Sequence, residues 1–335
     1  MKANGMQKKK MTGNGFLLLI TIALFAVMYI AGMIIFADKG FAKPQMFLNL
    51  FVSNAGLLVI GCGLTIVMIT GGIDISVGMN ALFIMALMWR LFNYLPVWLV
   101  LIVALLAGCA IGALNGFMIC YLNFPEMIAT LASMSILRGA GYLMLDTAQK
   151  FVQDPLRVIG NARLFGIIPL PTIIMIVLCV LGAFVLTRTR FGRYLLAIGG
   201  SKNSAEFTGI NIRAVTMGAY IICGACAALG GIVYAGRIGS IAPNSCQGYE
   251  FTVITAVVLG GTKMSGGKAS IVGSVLGCVF LYLIENAMTM LHVSSYYQTF
   301  ARAIMMLCAI AIDTITSMRY QTNVTREKRK RFLES

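Results

Sequence analysis

A chain of 335 residues that is 59% hydrophobic and only 11% charged cannot hide its apolar surface in a water-soluble core, where about 25% of residues are charged. Its net charge of +15 raises nucleic-acid binding, but Lys and Arg flank apolar runs and leave no stretch large enough for a reading domain. The lipid bilayer is therefore the expected partner and nucleic acid is not.

A hydrocarbon core of about 30 Å takes about 20 helical residues, and on that measure the chain reads as an all-α, polytopic membrane fold of about ten spans. The basic start, 1–15, leads into 16–36, an apolar run too long for a signal-peptide core and so retained as the first span. Further spans follow at 47–70, 74–89, 96–121, 126–145, 166–187, 214–236, 250–261, 269–291 and 296–318. An even number places both termini on one side. Loops sharing that side hold 17 Lys and Arg and the opposite loops hold seven, so the positive-inside rule makes it the cytoplasm. The division is a cytoplasmic N-terminus 1–15, a single transmembrane domain 16–318 with a long cytoplasmic loop 188–213, and a basic cytoplasmic tail 319–335.

Three spans, 74–89, 126–145 and 250–261, read as short or broken, and discontinuous helices at membrane depth are tolerated only where protein or a water-filled cavity satisfies their backbone. The segment 74–89 restarts after Thr70-Gly71-Gly72-Ile73 with Asp74, a preferred N-cap residue. Asp74 reads either as a cap at a tight turn or, with Ser76 and Asn80, as the lining of a path for a hydroxyl-rich solute. The segment 126–145 carries Glu126, Thr130 and Arg138; 250–261 opens with Glu250 and contains Thr255. Intramembrane charge is a functional hypothesis by default, set here against helix N-terminal stabilisation for Glu126 and Glu250 and a structural ion pair for Arg138. Glu285, Arg302 and Asp313 are the other ionisable groups at membrane depth, and His292 stands at an outer helix end.

The loop 188–213 contains Arg193 and then Ser201-Lys202-Asn203-Ser204-Ala205-Glu206. Ser201 or Asn203 can cap a short helix, Glu206 stands three residues after Asn203 as in a capping box, and Gly209 can end it. So short a helix needs a partner surface; the alternative is an amphipathic loop resting on headgroups. The pattern G-G-x-x-x-S-x-G occurs at 71–78 and again at 260–267. Residues 261–268 brush against a phosphate loop, but the spacing is one residue too long and Ala269 stands where a hydroxyl would hold magnesium. No nucleotide site, catalytic residue or cofactor is expected. Cys223-x-x-Cys226 lies in an apolar helix pattern without a second pair, so packing is expected rather than metal or redox chemistry. The outer loop 146–165, with charges of both signs, reads as a docking surface or a mobile solvated loop.

Four separated motifs resemble the ribose-, xylose- and galactose-type ABC sugar permeases: Gly-Gly-Ile-Asp-Ile-Ser-Val-Gly at 71–78, 127–131 through Arg138-Gly139, 191–210, and Val-Val-Leu-Gly-Gly-Thr at 257–262 through Ser265-Gly266-Gly267. Branched-chain amino-acid permeases share the architecture more weakly. The resemblance implies a type II importer fold in a bacterial inner membrane, working as a dimer with a second copy or a paralogue. It implies an ATP-binding subunit as the energy source and an extracytoplasmic solute-binding protein as the donor of substrate. By that analogy 201–208 is the coupling helix, with Arg193, Ser201, Asn203, Glu206 and Gly209 in the coupling loop. The competing readings are a permease for branched-chain amino acids or nucleosides, an ion-coupled secondary transporter, and a passive channel.

Overall fold

The computed structural model describes residues 13–37, 41, 43–152, 154–164 and 168–334. In chain order the helices are α1 (Gly13–Ile35), α2 (Pro44–Ser53), α3 (Ala55–Ile69), α4 (Val77–Leu91), α5 (Val97–Cys120), α6 (Glu126–Met144), α7 (Asp154–Asn161), α8 (Leu170–Arg188), α9 (Arg190–Gly200), α10 (Lys202–Phe207), α11 (Ile212–Ile238), α12 (Tyr249–Leu259), α13 (Ile271–Met290) and α14 (Ser295–Glu334). Strand pieces of two residues each, β1 (Gln149–Lys150), β2 (Arg163–Leu164), β3 (Ile168–Pro169) and β4 (Ser240–Ile241), form two small antiparallel ladders.

All ten expected spans contain helix, but among the described residues length and apolar composition qualify six as single membrane-crossing helices, with the α2–α3 pair as a seventh. The run 47–70 is not continuous: α2 and α3 meet at Asn54 with a bend of 55°. Asn54 Nδ2 donates to the Leu50 carbonyl at 3.1 Å, a local bond that competes with the helical ladder. The segment 126–145, expected to be broken, is one unbroken helix. The last span does not stop at 318 either, because its backbone continues as helix through the basic tail to Glu334.

Helix α3 is buried from end to end and packs beside α11, α8, α13 and α12. Helix α11 also carries α4 and α5. Between α5 and α11 the backbones nearly touch: Gly108, Gly112 and Gly116 recur every fourth residue, and a Cβ at Gly112 would run into the Tyr220 carbonyl. Small residues at such spacing are how helices gain contact where lipid supplies no hydrophobic drive for association. Cys223 and Cys226 are buried, with Gly63 of α3 packed against both. On the outside, α8 shows Ile176, Val180, Leu181 and Phe184 exposed, as a lipid-facing helix must.

The two ends of the bundle differ. At one, α9 lies on the end of α3 and the start of α11, and α10 reaches the start of α6 and shares a recess with the end of α5 and the start of α11. At the other, the 146–165 loop is built rather than merely solvated. There β1 pairs with β4 through Gln149 and Ile241, α7 lies on α11 where Gly160 meets Gly236, and Arg237 donates to Asn161 at 2.9 Å.

Candidate functional site

The first G-G-x-x-x-S-x-G segment is a true break between α3 and α4, and Gly71 turns it with φ +84°, a backbone conformation that glycine adopts without steric cost. Asp74 does not cap α4. The helix begins at Val77, after Ser76, and Asp74 is 1% exposed inside the break. Its Oδ1 accepts both the Ser76 N–H at 2.9 Å and the Ser76 hydroxyl at 2.6 Å, so a side-chain turn takes the place of the expected cap.

From Ser76 the polar chain continues into neighbouring helices. Asn115 Nδ2 on α5 donates to Ser76 Oγ at 2.9 Å, and Ser133 Oγ on α6 donates to Asn115 Oδ1. The donors run in one direction, Ser133 to Asn115 to Ser76 to Asp74, and end on the carboxylate, with the Cys223 thiol against it. Asn115 and Ser133 were not distinguishable in the sequence as members of a site. Asn115 is a lone amide in an apolar run, and only packing brings it to the break.

Asn80 is buried one turn into α4, and its Oδ1 has no hydrogen-bond partner among the described residues. Glu250, 4% exposed at the start of α12, is in the same position with its Oε2. Gly78 provides the room for that carboxylate. A buried acceptor left unpaired costs about 1–3 kcal/mol, so these atoms mark places where a water or a solute hydroxyl is favoured. Thr130 and Thr255 are buried, but their hydroxyls are spent on the Glu126 and Phe251 carbonyls of their own helices. Arg138 makes no ion pair among the described residues: its Nε donates to Tyr142 Oη at 2.9 Å, with the guanidinium over the same ring. Glu285 and Arg302 do pair, at 3.1 Å, and Asp313 accepts from the Met264 N–H at 3.2 Å.

Glu126 lies at the α9–α10 end. Lys202 of α10 reaches its carboxylate at 3.6 Å, and the Ile73 backbone N–H bonds to the same group. Glu126 therefore joins α10 to the break that holds Asp74. Glu126, Lys202, Glu206 and Arg213 enclose a charged recess of about 410 Å³.

Helix α10 spans Lys202–Phe207, with Ser201 as its cap: Ser201 Oγ accepts from the Ser204 N–H at 3.3 Å. Asn203 lies inside the helix, so the capping box expected from Asn203 and Glu206 is not formed. The Ser201 hydroxyl takes the N–H of the third helical residue, as an N-cap side chain does. Gly209 ends the turn with φ +78°, and Arg193, Asn203 and Glu206 are exposed.

Immediately before α10, Gly199 lies on the Ile69 carbonyl at the end of α3 and on Gly267. The Gly267 N–H also donates to that carbonyl at 2.9 Å, and Gly266 lies against Gly71. The two G-G-x-x-x-S-x-G segments thus meet each other and the root of α10 at one backbone junction. Among the described residues, no cluster of His, Cys, Asp and Glu could hold a metal ion.

Residues 46–310 match the family described as branched-chain amino acid transport system / permease component. The chain belongs to this permease family. The ribose import permease protein of Haemophilus influenzae is 32% identical over 298 residues, which are 87% of this chain and 91% of that one. The D-allose transport system permease protein of Escherichia coli is 31% identical over 311 residues (91% and 92%). The autoinducer 2 import system permease protein of Escherichia coli is 30% identical over 317 residues (93% and 91%). No solved structure matches. The permease family accounts for the apolar helices, and these relatives bear out the resemblance to sugar-type ABC permeases.

Proposed function

We propose that this permease is the membrane-spanning subunit of an ABC importer that carries a pentose, a hexose or a similar polyhydroxylated solute across a bacterial inner membrane. The relatives named for ribose and D-allose support the substrate class. The α9–α10 end faces the cytoplasm, in keeping with the 17-to-seven distribution of basic residues. An ATP-binding subunit docks on α10 there, and a solute-binding protein delivers from the opposite end. A second permease copy or paralogue completes the pathway.

The observation that carries the coupling role is the junction at Gly199. Closure of the ATPase pair pushes on α10. That push passes through the Gly199–Ile69–Gly267 contact to the ends of α3 and α12, and through Lys202 and Glu126 to the break at Ile73. The pathway side of the same elements is Asp74, Ser76, Asn80, Glu250, Thr130, Arg138 and Thr255. Moving α3 and α12 opens the path to alternate sides, as alternating access requires.

Proteoliposomes holding the chain with its ATPase and binding protein will accumulate labelled D-ribose or D-allose only when ATP is supplied. Accumulation of leucine but no sugar would overturn the substrate class. Accumulation by the chain alone, driven by sodium or protons, would overturn the ABC reading.

A further inference from the structure

At the end opposite α10 the bend between α2 and α3 opens a cavity of about 380 Å³, within the range of small-ligand sites, roughly 300–1,000 Å³. It is lined by Asn54 at the bend, Tyr234 in the last turns of α11, Tyr249 in the first turn of α12, Tyr282 and Glu285 on α13, and Arg302 on α14. Four helices and the α2–α3 bend thus contribute polar or aromatic groups to one space, and none of these residues belongs to the chain of bonds around Asp74.

The chemistry of the lining is selective. Tyr234 and Tyr249 stand edge to face at 5.7 Å and present ring surface. Arg302 Nε and Glu285 Oε1 stand 3.1 Å apart and neutralise each other, and both atoms are buried with only each other as partner. The site therefore carries no net demand for a charged guest, while the Tyr282 side chain and the charge pair give its wall a polar side. A sugar ring has an apolar C–H face that suits an aromatic surface and a rim of hydroxyls that suits planar charged groups. A charge pair at membrane depth is costly without such a use.

We infer that this cavity is a holding site for a neutral monosaccharide at the outer end of the permease, reached before the path past Asp74. The inference rests on the sugar-importer reading above. Arg302 and Thr252 also line an adjoining cavity of about 420 Å³ that Thr255 borders, so these two residues belong to the walls of both spaces.

The test uses the full chain in nanodiscs without the binding protein, with the exposed Cys308 replaced by Ser and the lining Ser53 replaced by Cys. D-ribose or D-allose is expected to slow modification of the Ser53→Cys thiol by a methanethiosulfonate reagent. Adding Tyr282→Phe, which keeps the ring and removes one hydroxyl, is expected to raise the sugar concentration giving half protection about threefold to tenfold. Tyr297→Phe, an exposed residue outside the cavity, is expected to leave that concentration unchanged. Absence of protection, or protection indifferent to Tyr282→Phe, while the assembled complex still imports sugar would overturn the site alone. Protection by leucine and not by sugar, with leucine import, would overturn the sugar reading along with it.

Discussion

Asp74 illustrates what a single side chain does when a helix breaks inside a bilayer. Its carboxylate receives two donors from Ser76, and Asn115 and Ser133 extend that anchoring to α5 and α6. Replacing Asn115 with Ala strips Ser76 of its donor and Ser133 of its acceptor. A cost of about 1–3 kcal/mol in stability follows, read as a lower melting temperature of the detergent-solubilised chain; an unchanged melting temperature would mean the chain of bonds holds nothing. Asp74 and Ser76 could be read in the sequence because two glycines announce the break. Asn115 and Ser133 could not, since a solitary polar residue in an apolar run looks the same whether it faces a neighbour, a cavity or its own backbone.

The informative elements are α10 and the helix ends beneath it. A Cβ on Gly199 would collide with the Ile69 carbonyl, whereas Gly200 has open space around it. Gly199→Ala is therefore expected to leave ATP hydrolysis by the assembled complex running while sugar uptake falls, and Gly200→Ala to transport normally; equal behaviour of the two would remove the junction from the account. The Glu126–Lys202 pair is partly exposed, and such pairs contribute only about 0–1 kcal/mol to stability. Lys202→Glu should leave the melting temperature nearly unchanged and reduce uptake per ATP, with recovery in the Glu126→Lys/Lys202→Glu double variant. The sequence placed α10 within a residue or so but chose among its caps poorly, because Ser201 and Asn203 are equally good in isolation and the register is set by the end of α9. It missed the bend at Asn54 altogether: 47–70 contains no proline or paired glycine at that point, and the cause is one amide turned back onto Leu50.

At the scale of the whole molecule, charge and shape distinguish two ends of the permease, to which the proposed function gives different tasks. The α9–α10 end gathers the junction, the charged recess and the basic loops; the opposite end holds α7, the β1–β4 ladder and the tyrosine-lined cavity. Ser204→Cys and Lys150→Cys, both at exposed positions, should react with an impermeant thiol reagent from opposite faces of oriented vesicles, Ser204→Cys from the cytoplasmic face. Composition alone was enough to establish membrane residence, because no soluble fold accommodates so few charges. The division of labour between the ends required the packing. The central claim is that energy supplied at α10 moves a sugar past the break at Asp74, and its most direct measurement is uptake of labelled D-ribose or D-allose into proteoliposomes carrying the chain, its ATPase and its binding protein. Accumulation that requires ATP and is lost with Gly199→Ala, while hydrolysis persists, is the predicted result; accumulation without ATP, or unaffected by that substitution, would contradict it.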